Sequence, residues 1–129
     1  MSTASPVARL HLWVLAPIFG LIPVALASRR PHASEEDRAE AKRALRWQLV
    51  GASILVMHIG LQLGVFGVYW FATAAGTLPP PLEILIGPLL FGISLLNVVS
   101  GVAEYAFVAF WGLRAAQGAP LPFFRGSQG

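Results

Sequence analysis

Four residues place polar chemistry inside the most apolar stretches of this chain: His58, Gln62, Asn97 and Glu104. A histidine beside a carboxylate in such surroundings can hold a shared proton, and relays of this kind move protons or solutes across membranes. The same pair, satisfied only by itself, instead fixes the register of two helices. Both readings stand on the same spacing. His58 lies 12 residues beyond Arg46 and Glu104 lies 10 residues before Arg114, so at about 1.5 Å per helical residue their depths match. Gln62 and Asn97 sit 16 and 17 residues in by the same count, which predicts a second pairing between antiparallel arms. Helical phase agrees, because His58 and Gln62 share a face at i, i+4, while Ser94, Asn97, Gly101 and Glu104 form a stripe. Gly60 and Gly64, extended by Gly67, make a small-residue face on the other side of their helix, suited to close approach of the first helix or of a second copy.

Other chemistry finds little support. The three histidines are far apart and lack metal-ligand spacing, so no metal site is expected. His11 reads either as a ligand or as an amphipathic anchor at the entrance of the first apolar segment. No phosphate loop, dinucleotide fingerprint or nucleophile elbow occurs, and without cysteine there is no thiol chemistry. The expectation is a non-enzyme without a cofactor.

The elements that must position these residues follow from where charge is missing. Hydrophobic residues make up 56% of the chain and charged ones 12%, well away from a soluble balance. No Asp, Glu, Lys or Arg occurs from Leu10 to Ser28, from Trp47 to Leu82, or from Ile84 to Ala103. Each gap holds about the 20 residues a membrane helix needs. The expected fold is therefore all-α and integral to the membrane, one domain over 1–129 with three spans at about 10–27, 47–71 and 84–113. The second and third form a long antiparallel hairpin, turned by the proline-rich 76–82. Pro17 and Pro23 predict a kink in the first span. An alternative for that segment is a signal peptide cleaved after Ala25-Leu26-Ala27.

Residues 34–46 read as an amphipathic cytoplasmic helix, opened by Ser34 as N-cap with Glu35, Glu36 and Asp37 in its first turn and continuing into the second span. Glu83 opens the third helix in the same electrostatic way. Lys42, Arg43, Arg46 and Arg114 fall at the membrane edge, where anionic headgroups attract each by about 1 kcal/mol; a solvated charged face is the plainer alternative. Arg29, Arg30, Arg38, Lys42, Arg43 and Arg46 in the first loop join Arg114 and Arg125 in the tail, against Arg9 on the other side. The positive-inside rule then places loop and C-terminus in the cytoplasm and the N-terminus outside. Basic residues that flank apolar segments argue against nucleic acid as a partner. Tyr69, Trp70 and Phe71 read as an aromatic belt at the far interface.

The junction Ala41-Lys42-Arg43-Ala44-Leu45-Arg46-Trp47-Gln48-Leu49 resembles a hallmark of a family of small bacterial membrane proteins of unknown function, in which a charged residue precedes Ala-Leu, an aromatic position and Gln-Leu. His11 within Leu10-His11-Leu12 and the ending Gly112-Leu113-Arg114-Ala115-Ala116-Gln117-Gly118-Ala119-Pro120 are similar as well, in the same order along most of the chain. The long third segment with an acid inside it departs from that pattern. The family is distantly similar to the membrane subunit of the chloroplast inner-envelope import channel, a kinship that implies a fold and not a transport activity. It implies a bacterial cytoplasmic membrane location. The expected role is an accessory or structural subunit in a homo-oligomer or larger complex. The alternative is an oligomeric channel or transporter lined by Asn97, Ser100 and Glu104.

Overall fold

The computed structural model of the protein describes residues 6–76 and 78–122. Its regular elements are a 3-10 helix Pro6–Leu15 and three α-helices: α1 Leu21–Ser28, α2 Glu35–Ala74 and α3 Pro80–Ala116. No strand occurs among the described residues.

Local chemistry explains where the long helices begin and end. Ser34 caps α2, its hydroxyl accepting from the Asp37 backbone N–H at 3.1 Å, and the three acids of the first turn meet the positive end of the helix. Nothing interrupts α2 for 40 residues, so it runs on the order of 60 Å. Gly76, with φ of 56°, follows its end. Pro80 and Pro81 open α3, where a missing N–H costs nothing, and Glu83 stands in its first turn. At the far end Gly118 adopts φ of 90°. Its N–H reaches the Ala115 carbonyl at 2.9 Å and the Ala119 N–H reaches that of Arg114 at 3.0 Å, the paired bonds of a Schellman stop.

Both α2 and α3 are long and apolar enough to cross a membrane, with mean hydropathy of 1.9 and 2.1 over their most apolar stretches. Those stretches are largely uncovered: Phe71 is 77% exposed, Ile84 74% and Leu96 72%. Contiguous apolar surface on this scale marks contact with lipid or with other protein.

The first apolar segment differs from the single kinked span expected over 10–27. It forms the ten-residue 3-10 helix, a turn over 16–20, and the eight-residue α1. Neither piece is long enough to cross hydrocarbon. Pro17 and Gly20 fall in the turn, and the 3-10 helix has its own pattern. At three residues per turn Ala8, His11 and Val14 line up along one edge, and these are its three buried residues. Contacts sort the chain into two compact units, Met1–Ser53 with Tyr105–Gly129, and Ile54–Glu104. Each contains its own polar network.

Candidate functional site

In the unit Ile54–Glu104 the four polar residues of the apolar arms meet. His58 and Gln62 stand one turn apart on α2, and Ser94, Asn97 and Glu104 stand on one stripe of α3. Asn97 is the centre and is buried. Its Nδ2 donates to the His58 carbonyl at 3.0 Å and to Gln62 Oε1 at 3.1 Å, while its Oδ1 lies 2.6 Å from His58 Nδ1. Gln62 in turn donates to Ser94 Oγ. The other ring nitrogen, His58 Nε2, is 3.2 Å from Glu104 Oε2. Gly101 makes this possible, since a Cβ there would stand 3.0 Å from His58 Cγ. Ser100 turns back to bond the Asn97 carbonyl of its own helix.

Hydrogen-bond logic fixes the proton inventory. Both donors of Asn97 are used, so its Oδ1 accepts, and His58 Nδ1 must carry the hydrogen. The remaining contact then needs one proton between His58 Nε2 and Glu104. An imidazolium facing a carboxylate satisfies it, and so does a neutral imidazole facing a carboxylic acid. The pair is therefore a single-proton holder. It is sealed on one side only, because the His58 side chain is 15% exposed and that of Glu104 is 47% exposed.

The second network lies in the unit Met1–Ser53 with Tyr105–Gly129, and sequence reasoning missed most of it. The break between the 3-10 helix and α1 leaves backbone carbonyls without helical partners. Gln48 Nε2 donates to one of these, Pro17 at 2.6 Å, and adds a second donor at 3.0 Å to the Ala16 carbonyl, which also accepts from the Gly20 N–H at 2.7 Å. The Tyr105 hydroxyl donates to the Val14 carbonyl at 2.7 Å. Trp47 Nε1 donates to the Val108 carbonyl at 3.0 Å, tying α2 to α3. Gly20, Gly51 and Gly112 let the segment come close. A Cβ on Gly20 would stand 2.6 Å from the Trp13 carbonyl oxygen, and one on Gly112 would stand 2.5 Å from Val14 Cγ1. The available signal was Gln48 itself, a buried amide placed directly after Trp47.

His11 is not an interfacial anchor but a buried residue, 2% exposed. Its Nε2 lies 2.8 Å from Glu40 Oε1, and as a carboxylate only accepts, Nε2 carries the hydrogen. The bond to His11 holds the Glu40 carboxyl below the ordinary value of 4.5, opposed by burial and aided by the charge of Arg43 at 3.3 Å. His11 Nδ1 is buried without a hydrogen-bond partner among the described residues.

The other sequence-derived positions separate. Among the described residues nothing lies within 4 Å of where a Cβ would be on Gly60, Gly64 or Gly67. Lys42, Arg46 and Arg114 are exposed, and Arg114 stands 6.0 Å from the ring centre of Phe110. Among the described residues no three His, Cys, Asp or Glu side chains converge as metal ligands would. No family model matches the chain, nor does any curated protein or solved structure.

Proposed function

We propose that this protein is a small integral membrane subunit with a structural or accessory role, a helical hairpin whose arms seat against a larger membrane assembly or a second copy. The observation that carries this reading is Glu104: a carboxyl 47% exposed within α3, whose other charged residues, Glu83 and Arg114, stand in its first and last turns. At membrane depth an ionisable group costs at least about 2.5–3.5 kcal/mol, so a complementary protein surface over Glu104 is the economical arrangement. Uncovered glycines at 60, 64 and 67 offer a second face for close helix contact.

In this reading 47–71 and 84–113 cross the bilayer, and the first segment dips in and returns. Irregular backbone is tolerated at membrane depth where protein satisfies it, which is what Gln48 and Tyr105 do for the turn. Pro6 and Val7 line the same cavity as Arg30, Pro31 and Asp37, so both ends of the segment emerge together. That arrangement moves the N-terminus from the outside to the side of the basic loop. All nine Lys and Arg then share one side, a stronger bias than three spans allow, and the positive-inside rule makes that side cytoplasmic. The resemblance of the Trp47-Gln48-Leu49 junction to small bacterial membrane proteins supports the bacterial inner membrane as its location. A channel lined by Asn97, Ser100 and Glu104 has less support, since Asn97 and Ser100 already bond within the hairpin.

Gentle detergent extraction followed by identification of co-migrating proteins tests the role. One large membrane assembly or a defined homo-oligomer is expected, with a Glu104→Leu variant shifting its stability. A monomer that conducts ions in vesicles in a Glu104-dependent way would replace this reading with the channel. A reporter fused to the N-terminus is expected to be reachable only from the cytoplasm; reactivity from outside would restore three spans.

A further inference from the structure

The first unit contains a cavity that neither polar network uses. It has a volume of about 660 Å³, within the roughly 300–1,000 Å³ of small-molecule sites. The 3-10 helix contributes Leu10 and Trp13 to its wall, and α1 contributes Pro23 and Ala27. These make an apolar wall. Arg30 and His32 from the loop and Asp37 from the first turn of α2 supply the cavity's polar groups. Arg38 stands beside it, its guanidinium donating to the carbonyl of the lining residue Pro31 at 2.9 Å. Two guanidinium groups, Arg30 and Arg38, stand there against the one lining carboxylate, Asp37.

We infer that this cavity is a binding site for an anionic phospholipid, with the headgroup phosphate on Arg30 and the first acyl carbons between Trp13 and Ala27. The chemistry of the lining selects the ligand. An apolar wall with net positive charge beside it fits an amphiphile with a negative head, whereas a free phosphate would leave Leu10, Trp13, Pro23 and Ala27 unused. Basic pockets at the cytoplasmic face of membrane helices take such headgroups. The cavity is distinct from the row of Lys42, Arg43 and Arg46, whose expected attraction to headgroups is diffuse. Here one lipid is seated between elements that come together only because the first segment doubles back. The site rests on the membrane reading given above.

The full-length protein, extracted in mild detergent and placed in nanodiscs of phosphatidylcholine with a minority of phosphatidylglycerol, tests this by native mass spectrometry of retained lipid. Carbonate-resistant membrane association of each variant is measured alongside. One phosphatidylglycerol is expected to stay with the wild type and with Arg9→Gln, an exposed cation outside the cavity. Retention should fall about fivefold in Arg30→Gln, the loss of one headgroup contact. Ala27→Trp, which fills the space beside the apolar wall, should abolish retention. Equal retention of both lipids, or unchanged retention in Arg30→Gln, would overturn the site while leaving the membrane reading standing. Retention of inorganic phosphate at Arg30 with no lipid would overturn it too, as a simple anion site. Release of the wild type by carbonate would instead remove the membrane reading, and the lipid site with it.

Discussion

The two networks use similar side chains for different ends. Around the first segment, Gln48 and Tyr105 direct their donors at main-chain carbonyls, so each side chain completes a backbone that could not complete itself. In the unit 54–104 the network residues stand within the helices α2 and α3, whose own carbonyls have helical partners around them. There His58, Gln62, Ser94, Asn97 and Glu104 mainly bond one another. The difference teaches where substitution should hurt. A network that serves orphaned carbonyls leaves them buried and unpaired when one donor is lost, whereas a network that serves itself can be replaced as a whole with small loss.

The largest effect should therefore come from Gln48→Leu, which keeps the volume but strands the Pro17 carbonyl and takes the second donor from that of Ala16. Each buried unsatisfied group costs about 1–3 kcal/mol, so a loss of roughly 2 kcal/mol or more is expected in detergent unfolding, together with new protease sensitivity near Ala16. Unchanged stability would erase the contrast between the units. A smaller loss is expected for Asn97→Leu. Hydrogen bonds between membrane helices average about 0.6 kcal/mol, so removing the three that Asn97 makes should cost about 1–2 kcal/mol. A double variant Asn97→Leu with His58→Leu should cost less than the sum of the singles.

The smallest effect at neutral pH belongs to Glu40→Gln, because the amide oxygen can still accept from His11 Nε2. Its signature lies in acid. The folded Glu40 carboxyl titrates below its ordinary 4.5, so its contribution is present above that value and disappears as the pH falls through the depressed one. The wild type should lose stability over that window while Glu40→Gln stays flat. Parallel pH profiles would show that the bond to His11 adds no charge-dependent stability.

Much of the architecture could be read before any fold was known, because it depends on local or periodic signals. The Ser34 cap and the first-turn acids mark the start of α2. Uncharged runs set the length of the arms. Counting residues inward from Arg46 and Arg114 pairs His58 with Glu104 and Gln62 with Asn97, the contacts found between the arms. The count missed that Asn97 reaches both His58 and Gln62, since one side chain can span a turn of the facing helix. The first segment was misjudged for a different reason. Apolar composition says that a stretch avoids water, and a span and a doubled-back segment avoid it equally. Only the three-residue spacing of Ala8, His11 and Val14 hinted at the latter.

The sequence by itself determined the apolar character and length of the arms, the helix ends and the facing stripes, since each arises from neighbours within a few turns. Tertiary structure alone decided that residues 10–27 turn back at Ala16–Gly20, that Gln48 is a carbonyl donor and not a lipid-facing amide, and that His11 is buried against Glu40. These choices join residues some 30 to 90 positions apart. Their energies depend on where a break in one segment meets a donor on another, a coincidence in space that hydropathy and helical period do not encode.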